Sequence, residues 1–341
     1  MKKKILVTGG TGYIGSHTAV ELINEGFDVL IIDNLYNSEK EVLDGIEKIT
    51  GTRPYLEIFD ICDNEKLIDF FSRNKDISAI IHFAAYKAVG ESVRKPLNYY
   101  RNNLVSLINL LEAMKKYSVP NLVFSSSCTV YGQPEKLPVT EDAPLQPAAS
   151  PYGNTKQVGE AIIRDTVSSD ENIKAIALRY FNPIGAHPSA LIGELPRGVP
   201  ENLVPYITQT AYGLRDELKV YGNDYDTPDG YCIRDYLHVV DLAKAHVVAV
   251  KRLTEEKNKS GYEVFNLGTG NGVSVLEAIQ AFERATGVKL KYKVVDRRPG
   301  DIEKIWANPS YANEELGWKT VSTLDEAMKT AWDWENHIRK K

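Results

Sequence analysis

The sequence predicts an α/β fold in which a doubly wound, mostly parallel sheet is joined to a smaller lobe of mixed α/β structure. Short β-branched runs alternate with longer amphipathic stretches through the first half of the chain, and a glycine-rich turn follows the first run. The alternation stops after Arg179. The chain has 341 residues, of which 43% are hydrophobic, so it is long enough to bury a large core in each of two lobes.

The alternating half of the chain supplies the predicted sheet and its covering helices. The predicted strands are apolar runs at residues 4–8, 27–33, 54–59, 79–83, 121–125 and 174–179. The predicted helices, which carry apolar side chains at intervals of three and four, lie at residues 11–25, 63–73, 96–116 and 151–168. In the helix at 96–116 this spacing predicts one buried face made of Leu97, Tyr100, Leu104, Leu107, Leu111 and Met114.

The rest of the chain divides between the two lobes. Five prolines between residues 183 and 205 require short elements there, and a polar, turn-rich stretch follows at 222–230. A helix at 239–252 and a strand at 263–267 are predicted to return to the main sheet, whereas a helix near 274–286 belongs to the smaller lobe. We therefore expect a large lobe of residues 1–182 and about 235–267, and a small lobe of 183–234 and about 268–341.

Composition and charge exclude several classes of protein. A net charge of −5 and a pI near 5.8 argue against a nucleic-acid partner, which requires a basic face. We expect no signal peptide and no membrane span, because no apolar run approaches the roughly 20 residues that a span needs. Three cysteines without CxxC spacing (Cys62, Cys128 and Cys232) favour a reducing, cytoplasmic setting. The six histidines are scattered along the chain without the spacing of metal ligands, so we expect no metal site.

The glycine-rich turn is the first candidate site. An apolar strand leads directly into Gly9-Gly10-Thr11-Gly12-Tyr13-Ile14-Gly15, and a helical pattern follows. Glycine at positions 9, 12 and 15 lets the backbone approach a pyrophosphate, and the N-terminus of the helix offers free N–H groups and the positive end of the helix dipole. This context predicts a Rossmann-like dinucleotide-binding turn. The alternative is a tight strand–helix turn without a ligand.

Two acidic residues at strand ends extend this prediction. Asp33 ends the second predicted strand, where a carboxylate accepts hydrogen bonds from both ribose hydroxyls and repels a 2′-phosphate, so NAD is favoured over NADP. The alternative is an aspartate that caps the turn at Asp33-Asn34. Asp60, at the end of the third predicted strand, is placed to meet the adenine, and an ordinary strand-end cap is the alternative.

A tyrosine and a lysine four residues apart form the second candidate site. Tyr152 and Lys156 follow Ser150-Pro151, which suits the N-cap and first position of a helix, so both side chains lie on one face. A neighbouring ammonium and an oxidised nicotinamide would lower the pKa of the phenol from its usual value of about 10, which a general base near neutral pH requires. The alternative is an exposed helical pair.

The strand at 121–125 is predicted to place a hydroxyl beside this pair. It opens into Ser125-Ser126-Ser127 at its carboxyl end, the edge at which ligands gather in parallel sheets. A serine hydroxyl there can hydrogen-bond the reacting oxygen, but position alone does not choose among the three serines. No such strand precedes Tyr36 and Lys40, which share the same spacing in a predicted loop, so we attribute that match to chance.

Together these residues resemble the extended short-chain dehydrogenase/reductase superfamily and, within it, the UDP-glucose (UDP-galactose) 4-epimerase family. The resemblance runs nearly end to end and is carried by residues 7–17, 82–96, 124–132, 150–156, 179–188, 222–224, 234–242 and 266–268. It implies an isomerase of galactose metabolism that interconverts UDP-galactose and UDP-glucose through a transient 4-keto sugar, with NAD tightly bound and recycled. It also implies a homodimer formed through the helices at 96–116 and 151–168, the alternative being helices packed only on their own sheet.

The resemblance further implies roles for individual residues. Tyr152 is then the catalytic base, Lys156 binds the nicotinamide ribose and tunes that base, and Ser127 contacts O4 of the sugar. The expected NAD-binding residues are Gly9, Gly12, Tyr13, Ile14, Gly15, Asp33, Asn34, Asp60, Ile61, Phe83, Ala84, Ala85, Lys87, Asn102, Ser125, Tyr152, Lys156 and Tyr180. The expected UDP-sugar-binding residues are Lys87, Ser127, Tyr152, Asn182, Asn202, Tyr221, Arg234, Arg298, Asp301 and Ile305.

Some of these assignments leave alternatives. The adjacent Asn103 leaves the register of Asn102 open. Arg234 and Arg298 can hold a diphosphate through paired hydrogen bonds, but without the resemblance they would be read as surface arginines in salt bridges. Before Trp306 the family carries either a tyrosine or a small residue, which decides whether N-acetylated sugars fit. This chain has Ile305, which is neither, so plain hexoses are expected and N-acetylhexosamines stay open.

Other reactions are less compatible with the sequence. An epimerase of a UDP-uronate or UDP-pentose is possible on the same residues. A nucleotide-sugar 4,6-dehydratase would need an Asp-Glu pair after the active-site hydroxyl, where this chain has Cys128-Thr129. A non-catalytic NAD-sensing regulator would typically lack the Tyr152–Lys156 pair.

Overall fold

The computed structural model of the protein describes residues 2–297 and 302–340. In that part of the chain the strands are β1 (Lys4–Thr8), β2 (Asp28–Asp33), β3 (Tyr55–Ile58), β4 (Ile77–His82), β5 (Asn121–Ser125), β6 (Lys174–Tyr180), β7 (Asn182–Ile184), β8 (Leu218–Tyr221), β9 (Ile233–Arg234), β10 (Tyr236–His238), β11 (Tyr262–Leu267), β12 (Val273–Ser274), β13 (Tyr292–Val295) and β14 (Lys304–Ile305). The helices are α1 (Tyr13–Asn24), α2 (Val42–Thr50), α3 (Asn64–Arg73), α4 (Val89–Arg94), α5 (Pro96–Tyr100), α6 (Ser106–Tyr117), α7 (Pro151–Ser169), α8 (Leu203–Tyr212), α9 (Val239–Thr254), α10 (Val275–Thr286), α11 (Ser310–Glu315) and α12 (Leu324–Arg339).

Seven parallel strands form the central sheet in the order β11–β6–β5–β4–β1–β2–β3. From β3 to β6 this is the doubly wound order, and the winding reverses between β1 and β4, where ligands bind at the carboxyl ends of the strands. The predicted fold class is confirmed. The predicted return of residues 263–267 to the sheet is also confirmed, because β11 pairs with β6 at the sheet edge.

Both faces of the sheet are buried, which explains the unbroken apolar runs in its strands. Along β1, Ile5 and Val7 pack into a first core with residues of α1, α2 and α9, and Leu6 packs into a second core on the opposite face. The second core contains residues of α3, α6 and α7. Because helices cover both faces, the carboxyl edge of the sheet is the place where side chains from several strands can meet a ligand.

A third core lies outside the sheet. Its buried residues come from 184–236 and 278–331 and include side chains of α8, α10 and α12. Three small sheets accompany it: β7 pairs with β10, β8 pairs with β13, and β9 lies between β12 and β14. Ile305 and Trp318 pack instead into the first core of the central sheet, so the last part of the chain contributes to both lobes.

The helix predicted at 96–116 is interrupted in the structure. A π-helical turn, Arg101–Val105, joins α5 to α6. A π turn takes more residues than an α turn, so side chains before and after it no longer share one face. Leu107, Leu111 and Met114 are buried as predicted, but Leu97 is 79% exposed, and the prediction of a single buried face is wrong for that residue.

Candidate active site

The glycine-rich turn joins β1 to α1. Gly9 has a φ of +72°, and a Cβ there would lie 2.8 Å from the backbone nitrogen of Ala84. A Cβ on Gly15 would lie 2.3 Å from the carbonyl oxygen of Gly9, so the helix packs on the turn backbone to backbone. Gly12 caps α1, which begins at Tyr13, without a side-chain hydrogen bond, and this leaves N–H donors for an anion. The residues present therefore fit the pyrophosphate of a dinucleotide.

Asp33, the last residue of β2, is a buried acceptor with three donors from the protein. Its carboxylate accepts hydrogen bonds from the backbone nitrogens of Thr11 (3.1 Å) and Leu35 (2.9 Å) and from the hydroxyl of Ser38 (3.2 Å). The turn-capping alternative is thus realised, and the same carboxylate fixes the glycine-rich turn. Capping does not exclude ribose binding, because a carboxylate has about four acceptor sites.

Asp60 lies two residues beyond β3 and also caps its own turn. Its carboxylate accepts hydrogen bonds from the backbone nitrogen of Cys62 (2.8 Å) and from the side-chain amide of Asn34 (3.2 Å). Ile61, the next residue, is buried. The structure therefore brings the predicted residues that follow β2 and β3 together at the same edge of the sheet.

Residues 83–87 follow β4 at the point where the winding of the sheet reverses. The backbone nitrogen of Phe83 donates to the carbonyl oxygen of Thr8 (3.0 Å), which places the start of this segment against the glycine-rich turn. At its end, the ammonium of Lys87 forms an ion pair with Glu194 at 3.1 Å. Lys87 thus lies between the cofactor edge and the segment that follows β7.

The two adjacent asparagines have different partners, and Asn103 is the more buried of them. It lies in the π turn, is buried, accepts from the backbone nitrogen of Tyr86 (2.8 Å) and donates to the hydroxyl of Thr155 in α7 (3.0 Å). Asn102 donates to Asn103 (2.9 Å). Asn103 therefore ties the 83–87 segment to the helix that carries Tyr152, while the side chain of Asn102 lies beside it and half-buried. Sequence reasoning assigned no role to Asn103.

The three serines after β5 have different partners. The hydroxyl of Ser125 hydrogen-bonds the phenol of Tyr180 (2.6 Å), and the hydroxyl of Ser126 donates to the carboxylate of Glu160 (2.5 Å). Ser127 accepts from a backbone nitrogen of the 3₁₀ turn that follows it (3.2 Å). The structure thus separates the serines: Ser126 is held in a buried ion-pair network, and Ser127 adjoins Tyr152.

The side chains of Tyr152 and Lys156 lie together inside the protein. The hydroxyl of Ser150 caps α7 by accepting from the backbone nitrogen of Gly153 (3.1 Å), so the helix begins where the sequence predicts. Tyr152 is 8% exposed and Lys156 is 4% exposed, which excludes the exposed-pair alternative. The Lys156 ammonium donates to the carbonyl oxygen of Ser125 (2.6 Å) and lies 5.9 Å from the centre of the Tyr152 ring.

The electrostatics of this pair differ from the prediction. Burial raises the pKa of Tyr152 well above its ordinary value, the neighbouring Tyr180 raises it further, and hydrogen bonding to Ser127 opposes the rise. Burial also lowers the pKa of Lys156 to about 8, against the attraction of Glu160. In the protein alone, desolvation of the phenol thus outweighs the attraction of the ammonium, and the predicted lowering of the pKa requires the positive charge of oxidised nicotinamide as well.

A buried ion pair beneath the lysine is a feature that sequence reasoning missed. Glu160 receives two hydrogen bonds from the guanidinium of Arg179, at 2.9 and 2.6 Å, in addition to the one from Ser126. Arg179 also donates to the phenol of Tyr131 (2.9 Å). Glu160 follows Lys156 by one helical turn, and a glutamate at that spacing was the available sequence signal.

The predicted diphosphate ligand Arg234 lies on β9. Its guanidinium donates to the carbonyl oxygens of Ile233 (2.9 Å) and Glu303 (3.4 Å), and within residues 2–297 and 302–340 it forms no ion pair. The salt-bridge alternative is therefore not realised in the described part of the chain. Ile305 is buried in β14, where it is the register partner of Arg234.

Asp235, which sequence reasoning also missed, anchors this region. Its buried carboxylate accepts from the backbone nitrogen and hydroxyl of Thr269 (2.9 and 2.7 Å) and from the backbone nitrogens of Gly270 (3.2 Å) and Ala307 (3.1 Å). Burial raises the pKa of Asp235 despite these bonds. Asp235, which follows Arg234, thereby ties the end of β9 to residues 269–270 and to Ala307, two residues after Ile305.

Three of the remaining predicted substrate residues lie on or beside short elements of the second half of the chain. The side-chain oxygen of Asn182 is buried and has no hydrogen-bond partner among the residues that the structure describes. Asn202, the N-cap of α8, donates to Glu194 (2.8 Å), and Tyr221 lies partly exposed at the end of β8. Two predicted residues lie outside the described part of the chain: Arg298 and Asp301.

Several other features bear on function. In residues 2–297 and 302–340, no group of three or more His, Cys, Asp and Glu side chains is arranged to hold a metal ion. None of the described helices combines the length and the apolar character that crossing a bilayer needs. Cys62, Cys128 and Cys232 are free thiols.

Comparison with known proteins gives consistent matches. The profile of a family described as GDP-mannose 4,6 dehydratase matches residues 6–331. The UDP-glucose 4-epimerase of Bacillus subtilis is 51% identical over 332 residues, which cover 97% of this chain and 96% of that protein. The human UDP-glucose 4-epimerase is 50% identical over 341 residues, covering 98% of this chain and 97% of the human protein.

Solved structures agree with the sequence matches. The UDP-glucose 4-epimerase of Bifidobacterium longum, in complex with NAD⁺ and UDP, has a TM-score of 0.94 and 47% identity, with 98% of each chain covered. The UDP-Glc/GlcNAc 4-epimerase of Campylobacter jejuni has a TM-score of 0.84 and 35% identity, covering 98% of this chain and 99% of that chain. The family profile is named for a dehydratase, but relatives identical at half their positions over nearly full length are decisive. The chain belongs to the UDP-glucose 4-epimerase family.

Proposed function

We propose that this protein is a cytoplasmic, NAD-dependent UDP-glucose 4-epimerase that interconverts UDP-galactose and UDP-glucose. The observation that carries the proposal is the cluster of Tyr152, Lys156 and Ser127. All three are buried at the carboxyl edge of the sheet that also forms the dinucleotide-binding turn. A proton acceptor beside a nicotinamide cofactor can oxidise and re-form a secondary alcohol.

The cofactor would be held by side chains and backbone of the large lobe. The free N–H groups at the start of α1 suit its pyrophosphate, and Asp33 suits the adenosine ribose. Lys156 and Tyr180 both hydrogen-bond Ser125, and the nicotinamide half of NAD is expected beside them. When bound, NAD accepts a hydride from C4 of the sugar and returns it.

The protein's own residues handle the proton and the sugar. Tyr152 takes the proton of the 4-hydroxyl and later gives it back, and Ser127 donates a hydrogen bond to O4. Tyr152 must be ionised to accept that proton, and its burial opposes ionisation. The Lys156 ammonium and the positive charge of oxidised nicotinamide are the two cations that favour the phenolate.

The small lobe would hold the nucleotide so that the sugar can turn. Arg234 offers a guanidinium without a carboxylate partner in the described residues, which suits a diphosphate. The side-chain oxygen of Asn182, which has no partner among the described residues, offers a further acceptor for the substrate. If UDP alone anchors the substrate, a 4-keto sugar can present either face to the nicotinamide, and C4 is inverted. We extend the proposal to the two-lobe division at about residues 182, 235 and 267.

A direct assay tests this function. Purified protein should form UDP-glucose from UDP-galactose without added NAD, because the reaction has no net redox change and its cofactor is regenerated in each cycle. A protein that carries NAD but leaves UDP-galactose unchanged would contradict the proposal. The same assay with UDP-N-acetylglucosamine, UDP-glucuronate and UDP-pentoses separates the other substrates that the site could accept.

Ile305 favours plain hexoses over N-acetylated sugars in this proposal. Its branched side chain is 2% exposed, packs into the first core and lies at the register position opposite Arg234. We expect UDP-galactose and UDP-glucose to be turned over faster than their N-acetylated counterparts. Equal rates would show that Ile305 does not set the substrate range.

We also propose a homodimer. Consecutive elements of the chain (α4, α5, the π turn and the first turn of α6) carry exposed apolar side chains: Val89, Val93, Leu97, Val105 and Ile108. A second copy covering this surface would remove it from water. Light scattering at micromolar concentration should give twice the mass of one chain. A monomer would contradict this part of the proposal.

A further inference from the structure

The segment that follows β7 crosses back onto the large lobe. We call residues 185–198 the crossing segment. Its Ile192 is fully buried in the first core, together with residues of α2. A Cβ on Gly45 of α2 would lie 2.5 Å from the carbonyl oxygen of Leu191, so the contact is made by backbone at close range. The crossing segment is therefore packed against the large lobe and does not extend freely into solvent.

Two polar contacts of the crossing segment reach the expected pyrophosphate site. The phenol of Tyr13, the first residue of α1, donates to the carbonyl oxygen of Gly185 (2.6 Å). The carboxylate of Glu194 pairs with Lys87 (3.1 Å), and the Trp334 indole donates to the carbonyl oxygen of Glu194 (2.8 Å). These contacts hold the segment beside the N-terminus of α1 and the 83–87 segment at once.

Arg197 makes a third contact, at the expected adenosine end. Its guanidinium donates to the carbonyl oxygens of Tyr36 and Ser38, both at 2.8 Å. The hydroxyl of Ser38 in turn contacts Asp33 (3.2 Å) and Thr11 (2.7 Å). The planar fork of a guanidinium can hold two acceptors in a fixed orientation. Arg197 thereby connects the crossing segment to the loop that follows Asp33, the residue whose carboxylate is expected to bind the adenosine ribose.

We propose that the crossing segment is part of the NAD-binding site and slows cofactor release, with Arg197 as the residue that fastens it at the adenosine end. The proposal rests on the proposed function, because a reaction that regenerates NAD in every turnover allows the cofactor to stay bound between turnovers. The three polar contacts fall on the glycine-rich turn, on Lys87 and on the Asp33 loop. A segment fixed at all three must detach locally before a dinucleotide lying along that edge can leave.

Exchange of bound NAD measures this directly, with no UDP-sugar present. Wild type, Arg197→Ala and Arg197→Lys are purified with their cofactor and mixed with an excess of isotopically labelled NAD. Arg284→Ala is the matched control, since Arg284 is also exposed and is paired only with Asp325 (2.9 Å) among the described residues. We expect label to enter Arg197→Ala about fivefold to tenfold faster, an intermediate rate for Arg197→Lys, and no change for Arg284→Ala.

The outcomes separate this inference from the proposed function. Faster exchange in Arg197→Ala, with an unchanged exchange rate in Arg284→Ala, supports a role in retention. Exchange at the wild-type rate in Arg197→Ala, or an equal acceleration in Arg284→Ala, would overturn the role of Arg197. A wild-type protein that holds no NAD would overturn the proposed function itself.

Discussion

The proposed cofactor edge and the proposed substrate side of the site differ in how far their polar groups are hydrogen-bonded within the protein. At the cofactor edge, polar side chains already have partners within the protein: Asp33 has three donors and Lys156 donates to a carbonyl oxygen. On the substrate side, among the described residues, Arg234 donates only to carbonyl oxygens and the amide oxygen of Asn182 has no partner.

This difference indicates how the two ligands are used. The fold itself orders the cofactor edge, which suits a group that stays in place through many turnovers. The substrate side keeps unused hydrogen-bonding capacity, which a diphosphate and a ribose would satisfy only while they are bound. Variants on the two sides should therefore change different quantities, and this expectation orders the following predictions.

The largest effect is expected at the boundary of the two sides, where we propose that Tyr152 contacts the sugar. Tyr152→Phe removes the proton acceptor but keeps the ring, so kcat should fall by roughly 10²–10⁴-fold, the usual contribution of general acid–base catalysis. The NAD content, measured by absorbance after denaturation, should match wild type. A phenylalanine variant with wild-type kcat would remove Tyr152 from the mechanism.

Arg234→Ala should affect only the substrate side. Truncating one member of a buried charge pair costs about 2–5 kcal/mol, so kcat/KM should fall by roughly 30-fold to several thousandfold. The loss should appear mainly in KM, and the rate of NAD exchange should not change. Arg234→Lys keeps the charge without the fork and should recover part of the loss. An unchanged KM in Arg234→Ala would show that the diphosphate binds elsewhere.

Lys156→Met should lose activity and gain stability. Burial lowers the pKa of Lys156 from 10.5 to about 8, so the unfolded chain binds more protons than the folded chain between those values. The charge thus costs stability below pH 8, and the cost disappears as the pH rises toward 10.5. We expect the variant to be more stable than wild type at pH 7, by about 1–3 kcal/mol.

Urea unfolding of protein stripped of NAD tests this at several pH values. The difference between the methionine variant and wild type should shrink from pH 8 to pH 10.5. A methionine variant that is less stable than wild type at pH 7 would show that burial of the ammonium does not destabilise the folded state. A stability difference that does not depend on pH would show the same.

Asp33→Ala should give the smallest effect, confined to the cofactor edge. Two ribose hydrogen bonds would be lost, which should weaken NAD binding about tenfold and reduce the preference for NAD over NADP. Asp28→Ala, at the other end of β2 and exposed, is the matched control. Titration with each dinucleotide measures both effects. An equal loss in both variants would assign the change to the strand and not to the carboxylate.

Local patterns predicted the sheet well and the partly buried helices less well. Residues 4–8 and 121–125 form strands at the predicted bounds because each is a short apolar run ended by polar residues. The helix α8 was not predicted, since Pro205 suggested an irregular segment. Pro205 is the third residue of that helix, where its missing N–H has no partner to lose. The π turn at Arg101–Val105 likewise has no apolar signature of its own.

For the site, local patterns in the sequence predicted several residues that lie close together in the structure. They did not predict the buried charges and the desolvation that set the pKa values of those residues. The glycine-rich turn and the Tyr152–Lys156 spacing are local and could be read directly. The spacing of Glu160 from Lys156 could be read from the sequence, but its partner Arg179 lies on a strand, and no sequence spacing links Glu160 to Arg179. The rise that burial causes in the pKa of Tyr152 was not predicted, because desolvation depends on how completely the fold encloses the phenol.

The fate of the hydrogen at C4 tests the central claim most directly. Purified protein is given UDP-galactose labelled with deuterium at C4, in ordinary water and without added NAD, and the UDP-glucose formed is analysed by mass spectrometry and NMR. If a hydride leaves C4 and returns from bound cofactor, the product keeps the deuterium at C4. Product that has lost its deuterium to water would contradict the mechanism, because inversion would then proceed by exchange of a proton.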